Sequence, residues 1–496
     1  MTRDTSIKFR CFVGIVLLGH WQSRGNTPWI LSGYSVIDMW RIGGLLCLVG
    51  CAHAPGASSP PTPSPGAAHY TVTIFDNFGG ARVRVCLEGA LVRELVPIDD
   101  SGGRGLRGAW SDGEALDISN GRIRLSQTSR TSCFDYQTRF AELSFRAGDS
   151  AAVVLSQAEW LWRPDPYPPE LEVSVSFVVP EGGQVSLPWP RSDGVYFPAR
   201  SAFFSSTYSV FGSFDRQAFS VAGTVVDVAR LGDRPTDEDV RRWLGRAVEA
   251  TASVGHRFPR DRLHFVIVPL DIPGEEVAFG MLRRGGGSSI LLLPSLGATV
   301  DQLEADWVAI HELSHLWLPR FYPKDRWLSE GMATYLQEVL RARCGLQSSE
   351  HAWKRLHEGF ARGRRSGTGR RLSSESRNMN RTGAYHRVYW AGAAFALEAD
   401  VRLRKNSKSE MTLLRALSEA QHAWGDEAGP MKTSVLFEAL QEASGAGFLK
   451  GLAEKYAASS DFPNTAYLDS PEYRQVRAQI MSDADGACGI NAESSP

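Results

Sequence analysis

From Tyr70 to about Leu231 apolar and polar residues alternate in short runs. "YTVTIF", "RVRVCLEG", "GRIRLSQ", "AAVVLSQAEWLW" and "ELEVSVSFVV" are rich in Val, Ile and Thr. Gly, Asp, Ser and Pro separate them, which is the pattern of half-buried strands joined by turns. "PARSAFFSSTYSVFG" and "AFSVAGTVVDVARLG" read as further strands. The span 70–231 is therefore expected to form an all-β, sandwich-like domain.

At Thr236 the period becomes helical. Thr236 stands as an N-cap, acids fill the first turn, and Val240, Trp243, Leu244 and Val248 share a face. "DRLHFVIVPL" and "SSILLLPS" are short apolar strands. Helices are predicted over 299–318, 325–343, 350–361, 386–404, 409–421 and 433–457. A mixed α/β unit over 236–350 is thus followed by a helical part over 351–480. The segment 361–383, "ARGRRSGTGRRLSSESRNMNRTG", is basic and lacks a period, so it reads as an exposed, mobile loop. Residues 481–496 are small and polar and read as a flexible tail.

Composition changes this picture little. A chain of 496 residues calls for several domains. The net charge of −1 supplies no global field to draw in nucleic acid, and none is expected as a partner. The N-terminus matters more. From Met39 the chain reads "MWRIGGLLCLVGCAHAPG": a positive Arg41, an apolar run over 42–49, and "LVGC" ending at Cys51. The run is too short to span a membrane. It resembles the lipobox of bacterial lipoproteins. That resemblance implies that 1–51 is a leader with its true start at Met39. It also implies that Cys51 is acylated, and that the protein is lipid-anchored in the bacterial cell envelope. The Pro/Ser-rich stretch 52–69 would then be a tether. An exported body permits disulfides. Cys86 and Cys133 fall in one predicted domain and could pair; spacing leaves the pairing of Cys86, Cys133, Cys344 and Cys488 open.

The chemistry is concentrated in "AIHELSHLWLPRFYPKDRWLSEGMATY", Ala309 to Tyr335. "TVDQ" (Thr299 to Gln302) is a capping box that starts a helix, and Pro319 ends it. His311 and His315 are then i and i+4 on one face, where both imidazoles can reach one ion at about 2.0–2.1 Å. Glu312 points off the line of the histidines, as suits a base acting on a metal-bound water. A catalytic zinc needs a third protein ligand and an open fourth position. Glu330, separated from His315 by fourteen intervening residues, is the candidate. It lies on a helix that Asp325 can cap, with Trp327, Leu328, Met332, Leu336, Val339 and Leu340 as its apolar stripe. Gly331 costs that helix about 1 kcal/mol relative to Ala, and so marks a close backbone approach. One Zn²⁺ per chain is expected.

"HELSH" followed by "WLSEGMATY" resembles the gluzincin metallopeptidases, in particular the aminopeptidase N and glycyl aminopeptidase groups. The resemblance implies a thermolysin-like catalytic domain, a peptide or protein substrate, and peptide-bond hydrolysis with Glu312 as base. "YWAG" is similar to the family's Y-x-K-G, which assigns the oxyanion hydroxyl to Tyr389, with Tyr385 as the nearby alternative. "FGMLRRGGGSSILLLPS" falls at the family's substrate strand and implies Gly280, Met281, Arg283 and Arg284 as substrate contacts. There are departures. The gap from HExxH to Glu330 is shorter than in aminopeptidase N. Ala391 replaces the Lys. Leu282 or Arg283 stands where the family has the Glu that binds a substrate α-amine, which leaves exo- and endopeptidase action both open. His386, Asp306 and Glu304 are candidates for orienting the ligands. Two other readings remain: an envelope lipoprotein that keeps the zinc fold for binding without catalysis, and a β-protein with a chance HExxH.

Overall fold

The computed structural model describes residues 66–125, 131–140, 152–255, 257–425, 429–482 and 488. The leader, Met39, Cys51 and most of the tether lie outside the described residues, as does most of 481–496. No described helix is long and apolar enough to cross a membrane.

The N-terminal region is β-rich. Its eight-stranded sheet centres on β1 (Ala67–Ile74), β2 (Gly80–Glu88), β3 (Thr131–Arg139) and β4 (Glu172–Val178), in the order β4-β1-β2-β3. Burial alternates along β1 and β2, so one face is covered and the other is wet. Two smaller sheets close the covered side. Tyr70, Trp160, Trp162, Phe203 and Phe211 are fully buried between them. The buried phenols are not stranded: Tyr70 donates to the Trp162 carbonyl at 2.9 Å and Tyr136 to that of Trp160 at 2.7 Å. Cys86 and Cys133 face each other in the β2–β3 register and are disulfide-bonded.

The second sheet is built from β5 (Asp215–Val221), β6 (Thr224–Arg230), β7 (Arg262–Ile267), β8 (Val277–Arg284) and β9 (Ser288–Pro294), in the order β5-β6-β7-β9-β8. β6 and β7 are parallel, and helix α1 (Asp237–Ala252) makes the crossover between them. β5 and β6 fall within the 70–231 span of the sequence reading. Their pairing with β7 puts them in the second sheet, which therefore starts at Asp215. β9 is buried along its whole length. Ile290 and Leu292 face the helices, while Leu291 and Leu293 face a cluster with Tyr208 and Val210 of the β-rich region.

The C-terminal part is helical: α2 (Val300–Ala305), α3 (Val308–Ser314), α4 (Arg326–Arg343), α5 (Ser349–Arg365), α6 (Leu372–Thr382), α7 (Tyr385–Asn406), α8 (Leu413–Ala420), α9 (Thr433–Ser444), α10 (Phe448–Ala458) and α11 (Arg474–Met481). Three expectations are corrected here. The helix expected over 433–457 is divided at Gly445, whose left-handed φ of 67° ends α9. The helix expected over 299–318 breaks at Asp306, for a reason given below. The loop expected over 361–383 is largely the end of α5 and the whole of α6. Its buried face is mixed: Leu372 and Met379 are apolar, while Glu375 and Ser376 between them are polar. Glu375 pairs with buried Arg387 at 3.4 Å, and the Arg362 guanidinium lies over the Trp390 ring at 5.2 Å. An apolar-period search passes over a helix whose covered face carries charge. Cys488 is disulfide-bonded to Cys344.

His264 on β7 joins the two regions. It is fully buried, with Nε2 on Ser186 Oγ at 2.9 Å and Nδ1 on Ser289 Oγ at 2.8 Å. Burial, aided by the Arg216 charge, pushes its pKa down from 6.5 to about 3. The unfolded chain takes up this proton below 6.5, and the folded chain does not until about 3. Stability is thus lost as pH falls through that window. Thermal melts of the wild type are expected to fall more steeply from pH 6.5 to pH 3 than those of His264→Gln. Parallel curves would refute it, since the carboxylates titrate alike in both proteins.

Candidate metal centre

The helix that carries the histidines starts as expected. Thr299 and Gln302 form a reciprocal capping box at the head of α2. At Asp306 the backbone turns extended, with ψ 153°, and Oδ1 accepts the Val308 amide hydrogen at 2.7 Å. This side chain replaces the missing backbone acceptor and restarts the helix as α3. Burial lifts the Asp306 carboxyl to about 7. The His315 amide donates to the His311 carbonyl, so a true helical turn separates the two imidazoles. Their rings stand 4.9 Å apart, edge to face.

Glu330 comes from α4, which crosses α7 at a pair of glycines. A Cβ on Gly331 would lie 2.1 Å from Gly392 Cα, and one on Gly392 would lie 2.1 Å from the Trp327 carbonyl oxygen. The close approach expected from Gly331 is therefore with α7, and it sets Glu330 and Tyr389 against the histidines. Glu330 Oε2 lies 3.6 Å from His311 Nε2 and 3.5 Å from His315 Nε2. Donors held about 2.0–2.1 Å from one tetrahedral centre stand about 3.3–3.4 Å apart, so the spacing fits a shared ion. The three ligand atoms all lie within 4.8 Å of one another.

The outer nitrogens are already occupied. His311 Nδ1 meets Gln337 Oε1 at 2.7 Å, and His315 Nδ1 meets Ser329 Oγ at 3.0 Å. This leaves both Nε2 lone pairs for a metal, the arrangement that fixes ring orientation in metal sites. The sequence reading did not find Gln337 or Ser329. Both lie on α4, Gln337 seven positions after Glu330 and on its face, Ser329 immediately before it, so the face of Glu330 was an available signal for Gln337 alone. The residues offered instead are elsewhere: Glu304 pairs with Arg242 at 2.8 Å, Asp306 caps α3, and His386 is exposed. Burial alone would raise the Glu330 carboxyl, but the facing His315 and His311 hold it well below the usual carboxylate range. Burial acts to lower the His311 pKa; the Glu330 and Glu312 carboxylates outweigh it and raise the value. These two imidazoles and one carboxylate could hold a metal ion, and they are of the ligand types that zinc takes.

Glu312 is anchored by strand β8. A Cβ on Gly280 would lie 2.5 Å from Val308 Cγ1 and 2.9 Å from Glu312 Cγ, so this glycine permits the strand to close on α3. The Leu282 amide then donates to Glu312 Oε2 at 2.8 Å. Met281 is 39% exposed beside it. The two arginines offered as substrate contacts have protein partners. Arg283 stacks over Tyr208 at 4.7 Å and reaches Ser206 Oγ at 3.3 Å. Arg284 donates to the carbonyls of His315 and Leu318, which closes the end of the histidine helix.

Tyr389 lies parallel to the His311 ring at 6.0 Å. Tyr385 is turned away and donates to Asn380 Oδ1 at 3.3 Å. Burial, with the charges of Glu330 and Glu312, raises the Tyr389 pKa well above 10.0, so the hydroxyl keeps its proton and can donate it in a hydrogen bond. A separate cavity of about 450 Å³ opens between Trp189, Arg191, Tyr196, Arg216, Asp227 and Arg262. It includes none of the metal-binding set.

No family model matches the chain, and no curated protein matches it either. Solved structures do. The crystal structure of an aminopeptidase N family protein from Idiomarina loihiensis superposes with a TM-score of 0.64 at 18% identity, over 81% of this chain and 77% of that one. An M1 zinc metallopeptidase from Deinococcus radiodurans matches at 14% identity and a TM-score of 0.48, over 80% of this chain and 94% of that one. The first of these likenesses establishes the architecture: this chain has the fold of the Idiomarina aminopeptidase N family protein.

Proposed function

We propose that this protein is a zinc metallopeptidase of the gluzincin type, with a thermolysin-like catalytic unit, that hydrolyses peptide bonds. The observation that carries the proposal is the convergence of His311, His315 and Glu330 on one point, with Glu312 and Tyr389 beside it. A zinc ion held there would polarise the scissile carbonyl and lower the pKa of a water. Glu312, held in place by the Leu282 amide, takes the water's proton and returns it to the leaving amine. The Tyr389 hydroxyl donates to the carbonyl oxygen as negative charge develops. Gln337 and Ser329 keep the imidazoles turned inward throughout.

The reading extends to place. Acylation at Cys51 would tether the enzyme to the cell envelope, where it would meet peptides or proteins. The two disulfides are in keeping with an oxidising compartment.

The test is a metal analysis paired with a cleavage assay on purified protein. One zinc per chain is expected, with cleavage lost in 1,10-phenanthroline and restored by zinc. Peptides with free and acetylated N-termini, read by mass spectrometry, separate stepwise removal from internal cleavage. Full zinc occupancy without turnover of any peptide would favour the binding-protein alternative. A chain that takes up no zinc would overturn both.

A further inference from the structure

We propose that Arg326 makes this site selective for peptides that place a carboxylate beside the scissile bond; the inference rests on the peptidase reading above. Arg326 is the first residue of α4 and lies one helical turn before Glu330 on the same face. It is half-buried. Its guanidinium makes no ion pair or hydrogen bond among the described residues. Its charge acts on Tyr385 and on Tyr389, and Tyr389 lies against His311.

A structural reason for a cation at this position is lacking. The first turn of α4 contains no acid, and Asp325 makes no side-chain capping bond. The positive end of the helix dipole also disfavours a guanidinium there. Arg320 lies near enough for the two positive charges to oppose each other, and it donates to Ser205 Oγ at 2.9 Å. The connection 320–326, "RFYPKDR", carries three cations against one acid. A partly exposed guanidinium with no protein partner among the described residues has its hydrogen-bond donors free for a ligand. A carboxylate suits them best, since a guanidinium binds it through two parallel hydrogen bonds.

The other side of the centre agrees. Strand β8 reads "VAFGMLRR" and contains no acid to receive a substrate amine. Among the described residues, Glu312 and Glu330 are the carboxylates whose charges act on His311 and Tyr389, and both have roles in the proposed mechanism. Strand β8 therefore offers no residue to select the amine of a substrate, while selection by a carboxylate has Arg326.

A carboxylate can come from an acidic side chain or from the C-terminus of a short peptide. Three peptides of one sequence distinguish the sources: one with an internal Asp and an amidated C-terminus, its Asn counterpart, and the Asn peptide with a free C-terminus. The zinc-loaded wild type should cleave at least one carboxylate peptide with a kcat/KM about 10- to 100-fold above the Asn amide. In Arg326→Gln that ratio should collapse toward one, and in Arg326→Glu it should invert. Equal rates for all three peptides in the wild type would overturn the inference and leave the peptidase reading standing. The same ratio is read at equilibrium by calorimetry on zinc-loaded Glu312→Gln, with and without Arg326→Gln. Discrimination there without turnover in the wild type would support carboxylate recognition and sink the peptidase reading. Equal affinities would sink the inference. Melting temperatures confirm that the variants are folded, and Arg326→Gln removes no partner that could unfold α4.

Discussion

Glu312→Gln is expected to lower peptide hydrolysis by about 100- to 10,000-fold while zinc content and melting temperature stay at wild-type values. Three features lead to this result. The amide cannot accept a proton, so the water loses its base. The three metal ligands are untouched. The Leu282 N–H keeps an acceptor, because the glutamine carbonyl oxygen can take the position of Oε2, now 2.8 Å from it. The strand anchor therefore persists and the variant separates chemistry from structure. Zinc content is read by elemental analysis and turnover by mass spectrometry of products. Hydrolysis at the wild-type rate would remove Glu312 from the mechanism and with it the main reason to read the site as catalytic.

The second large effect is expected from Gly392→Ala. The new methyl would lie 2.1 Å from the Trp327 carbonyl oxygen and 2.7 Å from Gly331 Cα. Both are backbone atoms in a neighbouring helix, so no side chain can rotate to relieve the contact, and α4 must move away from α7. Overpacking of this kind costs about 1–3 kcal/mol, and more where the obstacle is backbone. The movement also carries Glu330 and Tyr389 apart, so zinc affinity should fall along with stability. Gly451→Ala is the control: it sits in α10 with nothing within 4 Å of the added carbon. That change should be neutral or stabilise by about 0.4–1 kcal/mol. Urea unfolding and competitive zinc titration read the two quantities. Equal midpoints for Gly392→Ala and wild type would show that the glycine crossing does not position the site.

The cluster of His311, His315 and Glu330 was legible in the chain because the spacing of the two histidines is local. Two histidines four apart on a capped helix must share a face, whatever that helix packs against. The apolar stripe around Glu330 likewise identified α4 within one residue of its observed start. Strand runs in the β-rich region were readable from alternation, for the same reason. Errors arose where a local bond or a buried charge replaced an apolar period. Asp306 broke one helix through a single bond to Val308. Glu375 and Arg387 covered another with ionic rather than apolar contacts.

The sequence by itself therefore determined the helix of His311 and His315, the position of Glu312 beside them, and the helix that carries Glu330. Each follows from periodicity and capping within a few residues. Only the tertiary structure decided that Tyr389 rather than Tyr385 lies against His311, and that Gln337 and Ser329 meet the outer nitrogens of His311 and His315. It also decided that β5 and β6 join the second sheet, and that Arg283 and Arg284 have protein partners while Arg326 has none among the described residues. These depend on which elements meet across long stretches of chain. A hydrophobic pattern states that a face will be covered and leaves open what will cover it.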